Sequence, residues 1–327
     1  MFKDYKISYL EKALHITGRK QLNFLRQSVA YLLTQSTRAV PHAAMITHYD
    51  VTPLIEYARS SERTITPRRD ETPEQFRLRR AVRRNYSAFF LKALAHAFAD
   101  NPNLLMFMDY HVWRGRGTLY YTDDVNISYT THTKHGVIKP VVRNAHKKSV
   151  VRVAEEMREL TRKARRTDPN ELYRRVALGY LKCALRELNF GDIKGFWMLL
   201  RALLWARDPM DPEFAAVPEE QKLQPSDILG ATCTLANNGM MVSGNQTQTI
   251  ISPPETCMLG ISDLHQAAWV VNGQVVPRTV MTFFATMDHR ALDAGEGFPL
   301  FKVFEEYLAH PERIYEWEPH SGAAGQG

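Results

Sequence analysis

The residues TMDHRALDAG, at positions 286–295, place a histidine and an aspartate four positions apart in an otherwise apolar part of the chain. The residues before them, VVPRTVMTFFA at 275–285, are β-branched and aromatic, and they predict a strand that ends at this turn. Histidine is the side chain best suited to accept a proton near neutral pH. His289 is therefore either a general base at a strand end or a turn histidine with only structural hydrogen bonds.

A longer segment carries this turn: MTFFATMDHRALDAGEGFPLFKVFEEYLAHPERI, at 281–314. It resembles the C-terminal signature of the acyltransferase subunits of 2-oxoacid dehydrogenase complexes, in which a strand ends in Asp-His-Arg-x-x-Asp-Gly before a helix. The chloramphenicol acetyltransferases share this fold and the His-x-x-x-Asp-Gly motif. Four upstream segments resemble further family segments in the same order: VPHAAMITHYDVTPL (40–54), GVIKPVVRNAHKKSV (136–150), GATCTLANNGMM (230–241) and TIISPPETCMLGISDLHQAAWVVNGQVV (249–276).

The resemblance implies an α/β fold: a chloramphenicol acetyltransferase-like two-layer sandwich with a mixed sheet and a helical insertion. We expect residues 1–327 to form a single acyltransferase-like catalytic domain, with the insertion at about 167–227. Family active sites lie between subunits, where the histidine of one chain faces a turn of its neighbour. The resemblance therefore implies a homotrimer or a multiple of it.

The same resemblance implies acyl transfer between thioesters, with His289 as the general base that deprotonates the acceptor. A thiol has a pKa of about 8.5 and an imidazole about 6.5, so a neutral histidine is a reasonable base for this step. No covalent enzyme intermediate is required, and no covalently bound cofactor is expected. A coenzyme A thioester is the expected co-substrate.

Asp293 matches the aspartate of the motif, whose implied role is to hold the active-site loop through a buried salt bridge to an N-terminal arginine. Counting back from VPH assigns that arginine to Arg26, with Arg19 as the alternative if the register slips. A surface pair would contribute little stability, whereas loss of one partner from a buried pair would be costly.

Two positions depart from the family pattern. Ala294 replaces the glycine of the motif, and an alanine disfavours the tight or left-handed backbone that a glycine would allow there. Ala236 stands where the family places a Ser or Thr that donates to the oxyanion, and loss of such a donor costs about 10²–10³ in rate. Thr234 lies about 6–7 Å away on the same strand face and is a poor substitute. Asn237 adjoins the site and is the candidate replacement donor.

The preferred function is a stand-alone acyltransferase, because the resemblance begins within about 20 residues of the start. It would move an acyl group from coenzyme A, or from an acyl-carrier protein, to an unknown thiol, hydroxyl or amine. A second enzymatic interpretation is a truncated core that uses lipoyl domains supplied in trans. A third interpretation is a catalytically impaired trimeric scaffold or complex core, which Ala236 and Ala294 favour.

The composition indicates a folded globular protein of 327 residues, with 44% hydrophobic and 24% charged residues. Cys183, Cys233 and Cys257 are too few and too scattered for a disulfide framework or a zinc site, and all three are predicted to be buried apolar residues. The first residues lack the apolar core of a signal peptide, and no apolar run is long enough to span a bilayer. A cytoplasmic location is therefore expected.

The net charge of +7 is concentrated in two segments, 68–85 and 146–166. Nucleic-acid binding is disfavoured, because aromatic residues are not interleaved with the basic ones and no nucleic-acid motif is present. Solvated helix faces are the simpler interpretation. Attraction of an anionic substrate such as a coenzyme is a second use of this charge.

The stretch 170–208 predicts two helices joined at NFGD. The second helix is apolar on almost every side from Phe196 to Trp205, with Arg201 as the exception. It is too short to cross a membrane. It is therefore buried, docks on a partner or an acyl carrier, or contacts a membrane surface through 193–207.

The spacing of apolar residues predicts a helix over 147–166. In the segment that begins at residue 40, it predicts a strand followed by a helix that Thr52 caps. Charges and two Thr-Pro pairs predict a mobile loop within 54–84. A helix at 297–309 closes the chain. The last third predicts strands at 229–236, 246–252, 255–262, 267–272 and 274–287.

Overall fold

The computed structural model describes residues 15, 17–18, 20–111, 115–134, 136–187, 193–205, 212–239 and 248–319. In chain order, its helices and strands are α1 (Phe24–Ala39), β1 (His42–Asp50), α2 (Thr52–Thr64), α3 (Pro73–Val82), α4 (Tyr86–Ala99), β2 (Met106–His111), β3 (Arg116–Tyr121), β4 (Ile127–Tyr129), β5 (Thr131–Thr133), β6 (Gly136–Ile138), β7 (Val141–Val142), α5 (Val150–Arg165), α6 (Pro169–Glu187), α7 (Ile193–Trp205), α8 (Pro212–Ala215), β8 (Cys233–Asn237), β9 (Cys257–Val271), β10 (Gln274–Asp288), α9 (Ala294–Ala309) and α10 (Glu312–Tyr315).

Six strands form one mixed sheet in the order β1-β10-β9-β8-β4-β7. Strand β8 runs parallel to both of its neighbours, β9 and β4, whereas the other pairs in this sheet are antiparallel. Helices α2 and α9 pack against β10 and β1, α5 packs against β7, and α4 lies between α9 and α5. The expected α/β sandwich with a mixed sheet is confirmed.

Strand β10 positions the His289 turn, and its own packing is tight. It lies inside the sheet between β1 and β9, and its side chains are buried from Val280 to Asp288. Phe283 packs against Phe304 of α9, with ring centroids 4.9 Å apart. On β9, Gly260 is required because a Cβ there would lie 1.9 Å from the Phe284 ring. This packing fixes where β10 ends.

Helix α4 is buried along most of its length and carries a lysine near its centre. The Nζ of Lys92 donates to the carbonyls of Ala145 at 3.1 Å and His146 at 2.7 Å, and lies 3.5 Å from the centroid of the Trp317 ring. Burial lowers the pKa of Lys92 to about 6, and burial also lowers the pKa of His96, one turn away, to about 3. Above pH 6, α4 is therefore held to the loop after β7 by a neutral amine.

Because of Lys92, the folded chain is expected to become more stable as the pH rises from about 6 towards 10.5. In this window the unfolded chain holds a proton on Lys92 that the folded chain has released, so unfolding becomes less favourable as pH rises. The slope from this group should approach about 1.4 kcal/mol per pH unit. Urea titrations at several pH values measure it. Lys92→Met should flatten the slope, and an unchanged slope in that variant would contradict the assignment.

Helices α6 and α7 form the core of the helical insertion and pack with α1. Their shared apolar cluster contains Phe24, Ala177, Leu181, Ala184, Phe196 and Leu203. Helix α7 also exposes 62% of Trp197 and 55% of Leu204. Both expected helices are present, whereas their NFGD link lies outside the described residues. In the part of the chain that the structure describes, no helix is both long and apolar enough to cross a bilayer.

One of two local predictions about the first third of the chain was wrong. Helix α2 begins at Thr52, but its capping residue is Val51. The stretch 54–84, predicted to contain a mobile loop before a helix, holds most of α2, a segment without helix or strand at 65–72, and all of α3. Helix α3 begins there because Thr72 and Gln75 cap each other reciprocally.

Predictions for the last third and for the cysteines also need correction. The described residues of the expected strand at 246–252 form no strand, and the strands expected at 255–262 and 267–272 are one continuous strand, β9. Pairing with β10 along its length holds β9 together. Cys183 is exposed on α6, so Cys233 and Cys257 are the buried cysteines.

Candidate active site

The backbone of the His289 turn is held from two sides. The Asp288 N–H donates to the Thr256 carbonyl at 2.8 Å, and the His289 N–H donates to the Pro41 carbonyl at 3.0 Å. These bonds tie the end of β10 to the segments that precede β9 and β1. The position of His289 is thereby fixed, although its side chain is 52% exposed.

The ring of His289 has a defined hydrogen-bond partner. Its Nδ1 lies 3.2 Å from the carbonyl oxygen of Leu292. Because a carbonyl only accepts, this contact places the proton of the neutral ring on Nδ1 and leaves the lone pair on Nε2. Nδ1 also lies 3.6 Å from Oδ1 of Asp293, which attracts the ring when it is protonated. The arrangement is suited to a general base.

A buried ion pair flanks His289 in the same turn. Buried Asp288 accepts from Nε of Arg290 at 2.9 Å, from Nη2 at 2.6 Å and from its backbone N–H at 3.0 Å. Hydrogen bonding to Asp288 raises the pKa of Arg290. The guanidinium also lies 5.5 Å from the centroid of the Tyr110 ring. Asp288 and Arg290 therefore lock the turn.

The predicted salt bridge between Arg26 and Asp293 is absent from the single chain. The Asp293 side chain is 83% exposed, and Arg26 is exposed on α1. Asp293 instead precedes α9 as its capping residue, and its backbone N–H donates to Oε2 of Glu296 at 2.8 Å. The two side chains are therefore not paired within one chain, and the buried bridge that the resemblance implies stays a prediction. The alternative partner, Arg19, lies outside the described residues.

Ala294 occupies the glycine position of the motif without a left-handed backbone. It is the first residue of α9, and the non-glycine residues with positive φ in the described chain are Asn144 and Asn272. A glycine is therefore not required at this position.

Asp288→Asn is expected to lower the free energy of unfolding by about 3 kcal/mol, because it leaves Arg290 largely buried without its charged partner. Asp293→Asn should change it by less than about 0.5 kcal/mol, because the side chain is exposed and asparagine also caps helices. Chemical denaturation of the two matched variants measures both values. Equal losses would contradict the assignment of the lock to Asp288.

Strand β8 carries the position expected to donate to an oxyanion. Ala236 is buried there and pairs with Gly260 of β9. The Thr234 hydroxyl donates to Oε2 of Glu255 at 2.7 Å and lies 2.8 Å from the Ser128 hydroxyl. Burial raises the pKa of Glu255. Because this interior network engages Thr234, its hydroxyl does not replace the one that Ala236 lacks.

Asn237 ends β8 at the wall of a pocket of about 780 Å³. Its Nδ2 donates to Oγ of Ser87 at 3.1 Å, and its Oδ1 accepts from the N–H of Gly239 at 3.1 Å. Gly239 is required in this turn because a Cβ would lie 2.6 Å from the backbone nitrogen of Asp263. A carboxamide nitrogen carries two N–H bonds, and the second one of Asn237 has no partner among the described residues.

In one chain, His289 and Asn237 lie at opposite ends of the sheet. Asn237 pairs with Ile261 on β9, and Ile261 pairs with Phe283 on β10. His289 comes six residues after Phe283, which corresponds to about 20 Å along the strand direction. The two strands are also separated by β9, which adds about 10 Å across the sheet. A single chain therefore does not bring the two residues together.

The family model of the 2-oxoacid dehydrogenases acyltransferase (catalytic domain) matches residues 15–172 and 213–316. The chain belongs to this family. The resemblance in the His289 turn and in the segments upstream of it is thereby confirmed. The unmatched residues, 173–212, include most of α6 and all of α7.

The sequence is similar to acyltransferase components of 2-oxoacid dehydrogenase complexes. It is 22% identical over 289 residues to the dihydrolipoyllysine-residue acetyltransferase component of the pyruvate dehydrogenase complex of Rickettsia felis, covering 88% of this chain and 53% of that protein. It is 22% identical over 298 residues to the corresponding succinyltransferase component of the 2-oxoglutarate dehydrogenase complex of Rickettsia typhi, covering 91% and 57%. The chain thus spans about half the length of these relatives.

Solved structures share the fold. The dihydrolipoamide acetyltransferase of Azotobacter vinelandii superposes with a TM-score of 0.66 at 20% identity, covering 96% of this chain and 98% of that chain. The cubic core of a pyruvate dehydrogenase multienzyme complex superposes with a TM-score of 0.64 at 19% identity and the same coverage. The architecture is therefore that of the catalytic cores of such acyltransferases.

Sequence reasoning missed Ser87 and the Asp288–Arg290 pair. Ser87 is 150 residues from Asn237, and no local pattern joins them. Asp288 and Arg290 stand beside His289 in the motif that drew attention to it. A carboxylate at the end of a buried strand needs a cation, so the motif did contain a signal for this pair.

Proposed function

We propose that the protein moves an acyl group between a coenzyme A thioester and a thiol of the dihydrolipoyl type, with His289 as general base. The observation that carries this proposal is the His289 ring, which the Leu292 carbonyl holds through Nδ1 at a fixed strand end. Family membership supports acyl transfer. The names of the relatives, dihydrolipoyllysine-residue acetyltransferase and succinyltransferase, support this class of thiol.

The transfer proceeds without a covalent bond to the protein. Nε2 of His289 accepts the thiol proton while the thiol sulfur forms a bond to the thioester carbonyl carbon. The electron pair of the carbonyl moves to its oxygen, and the unused N–H of Asn237 donates to this oxyanion. The carbonyl then re-forms, the bond to the leaving sulfur breaks, and the leaving thiolate takes the proton from His289.

This mechanism requires two copies of the chain. His289 and Asn237 of one chain are separated by about 20 Å along the sheet. One thioester carbonyl therefore cannot contact both residues of the same chain. The His289 turn of one copy and the Asn237 turn of a neighbour form one site. We propose a homotrimer or a multiple of it as the active assembly.

A scaffold without turnover is the second candidate function, and the alanine at the hydroxyl position favours it. Ala236 removes a donor whose loss costs about 10²–10³ in rate unless another group replaces it. The departure at Ala294 no longer adds to this interpretation, because its backbone is helical.

The test is to incubate the full chain with dihydrolipoamide and either acetyl-CoA or succinyl-CoA. Mass spectrometry measures acyl-dihydrolipoamide, and light scattering measures the assembly. We expect acyl-dihydrolipoamide to form only when the protein is present and to depend on its His289 side chain. A folded trimer that forms no product with either donor would overturn the proposal and favour the scaffold.

A further inference from the structure

Helices α6 and α7 carry the same pattern of residues. The segment ALGYLKCAL at 177–185 aligns position by position with FWMLLRALL at 196–204. In both segments the first and eighth residues belong to the apolar cluster that the two helices share with α1: Ala177, Ala184, Phe196 and Leu203. The second, sixth and ninth residues are exposed in both: Leu178, Lys182 and Leu185 on α6, and Trp197, Arg201 and Leu204 on α7. These residues are called the two exposed triplets below.

Each exposed triplet forms one face of its helix, because residues spaced by four and three positions lie on the same side. The apolar members are largely exposed: 62% of Trp197, 55% of Leu204, 57% of Leu185 and 48% of Leu178. Single exposed apolar side chains are ordinary, whereas a group of them beside polar residues marks a contact surface. Both triplets lie within residues 173–212, which the family model leaves unmatched, so the segments shared by the family do not include this surface.

The charge of this surface is positive. Each triplet has a basic residue, Lys182 or Arg201, between two large apolar ones. The sequence has no aspartate or glutamate at 176–186 or at 193–205, and each of these two stretches carries two basic residues. The partner that covers the triplets must therefore offer negative charge together with an apolar layer.

A bilayer with anionic lipids offers both. The stem of a lysine or arginine can lie along apolar surface while its charged head stays at the lipid phosphates. Tryptophan and leucine beside it can enter the boundary between headgroups and acyl chains, where tryptophan is enriched. A protein partner fits less well, because charged residues are depleted from the centre of protein interfaces. An isologous contact between two copies would bring the basic centre of one face close to that of the other.

We infer that α6 and α7 bind the surface of an anionic lipid bilayer through the two exposed triplets. Trp197 and Leu204 enter the headgroup boundary, and Arg201 contacts the lipid phosphates. On α6, Leu178 and Leu185 with Lys182 make the corresponding contacts. Binding to a bilayer is independent of the proposed acyl transfer, because it involves neither His289 nor Asn237.

Flotation of the full chain with vesicles of equal parts phosphatidylglycerol and phosphatidylcholine tests the apolar contacts. We expect Trp197→Ser/Leu204→Ser to lower the partition constant by at least about tenfold, because two large apolar side chains no longer leave water. Val270→Ser/Val275→Ser is the matched control. These valines are 67% and 71% exposed near the tip of the hairpin of β9 and β10, and the control should partition as the wild type does.

The basic contacts are tested on the same vesicles. Lys182→Gln/Arg201→Gln should lower the partition constant by about tenfold, and raised salt should weaken binding of the wild type. Arg152→Gln/Lys302→Gln removes two exposed basic residues from α5 and α9 and is the matched control for charge. Circular dichroism of all four variants checks that they fold.

Three results would overturn the assignment to a bilayer. The first is wild-type protein that does not float with these vesicles, or that floats equally with pure phosphatidylcholine. The second is an equal loss of binding in a variant and its matched control. The third is a wild type that ignores vesicles while light scattering shows that Trp197→Ser/Leu204→Ser changes the assembly, which would assign the face to a second copy. Flotation requires no turnover, so a protein inactive in acyl transfer is tested equally well.

Discussion

His289→Ala is expected to lower the rate of acyl transfer by about 10²–10⁴-fold while the protein folds and assembles as before. The substitution removes the group that accepts the thiol proton. It leaves the Asp288–Arg290 pair and the backbone bonds of the turn in place. Steady-state kinetics with a saturating thioester measure the loss, and circular dichroism with light scattering checks the fold and the assembly.

His310→Ala is the matched control for this experiment. His310 follows α9, is exposed and lies 3.3 Å from Glu312, away from the turn. Its removal should leave the rate within about twofold, as for an ordinary surface substitution. Full turnover by the His289→Ala protein would remove the general-base mechanism.

Asn237→Ala is expected to lower the rate by about 10²-fold, because it removes the amide that donates to the oxyanion. Asn238→Ala is the control, since it truncates the adjacent amide. The hydrogen bond from Asn237 to Ser87 also disappears, so thermal unfolding of both variants must accompany the kinetics. A wild-type rate in Asn237→Ala would contradict its assignment as the donor.

The substitution Ala236→Ser adds the hydroxyl that the family has at this position. It therefore also tests whether Asn237 is the oxyanion donor. In the Asn237→Ala background the serine is expected to recover about tenfold in rate. In the wild-type background it should change the rate little, because Asn237 already supplies the donor. A rise of tenfold or more in the wild-type background would mean that the natural site is impaired.

The sequence predicted the fold well where a long apolar pattern coincided with a family motif. Residues 274–287 were predicted as a strand ending at His289, and β10 is buried from Val280 to Asp288. Within 54–84 the Thr-Pro pairs predicted a loop. The structure has a loop at 65–72, but the second pair begins helix α3, where Thr72 and Gln75 cap each other. A Thr-Pro pair marks a helix start as well as a turn, and the packing against the core decides between them.

The sequence motif named candidate site residues, but it did not predict how the structure arranges them. Asp293 was assigned the structural lock, because the resemblance implies that role for the aspartate of the motif. The lock in the structure is Asp288 with Arg290. Both faces of β10 are buried from Val280 up to Asp288, whereas the capping position leaves Asp293 exposed. Spacing identifies residues near each other, whereas burial depends on which elements pack around the turn.

Local sequence patterns also do not predict the distance between His289 and Asn237. It follows from the registers of β8 on β9 and of β9 on β10, which join residues far apart in the chain. If His289 and Asn237 serve one carbonyl, as we propose, these registers require a second copy.

Mixing the inactive His289→Ala and Asn237→Ala proteins tests the central claim most directly. If the site joins His289 of one copy to Asn237 of another, random co-assembly restores both residues at about a quarter of the interfaces, because each is present with a chance of one half. We predict that mixed assemblies, verified by native mass spectrometry, recover about a quarter of the wild-type rate. Verified mixed assemblies that remain as inactive as either parent would contradict it.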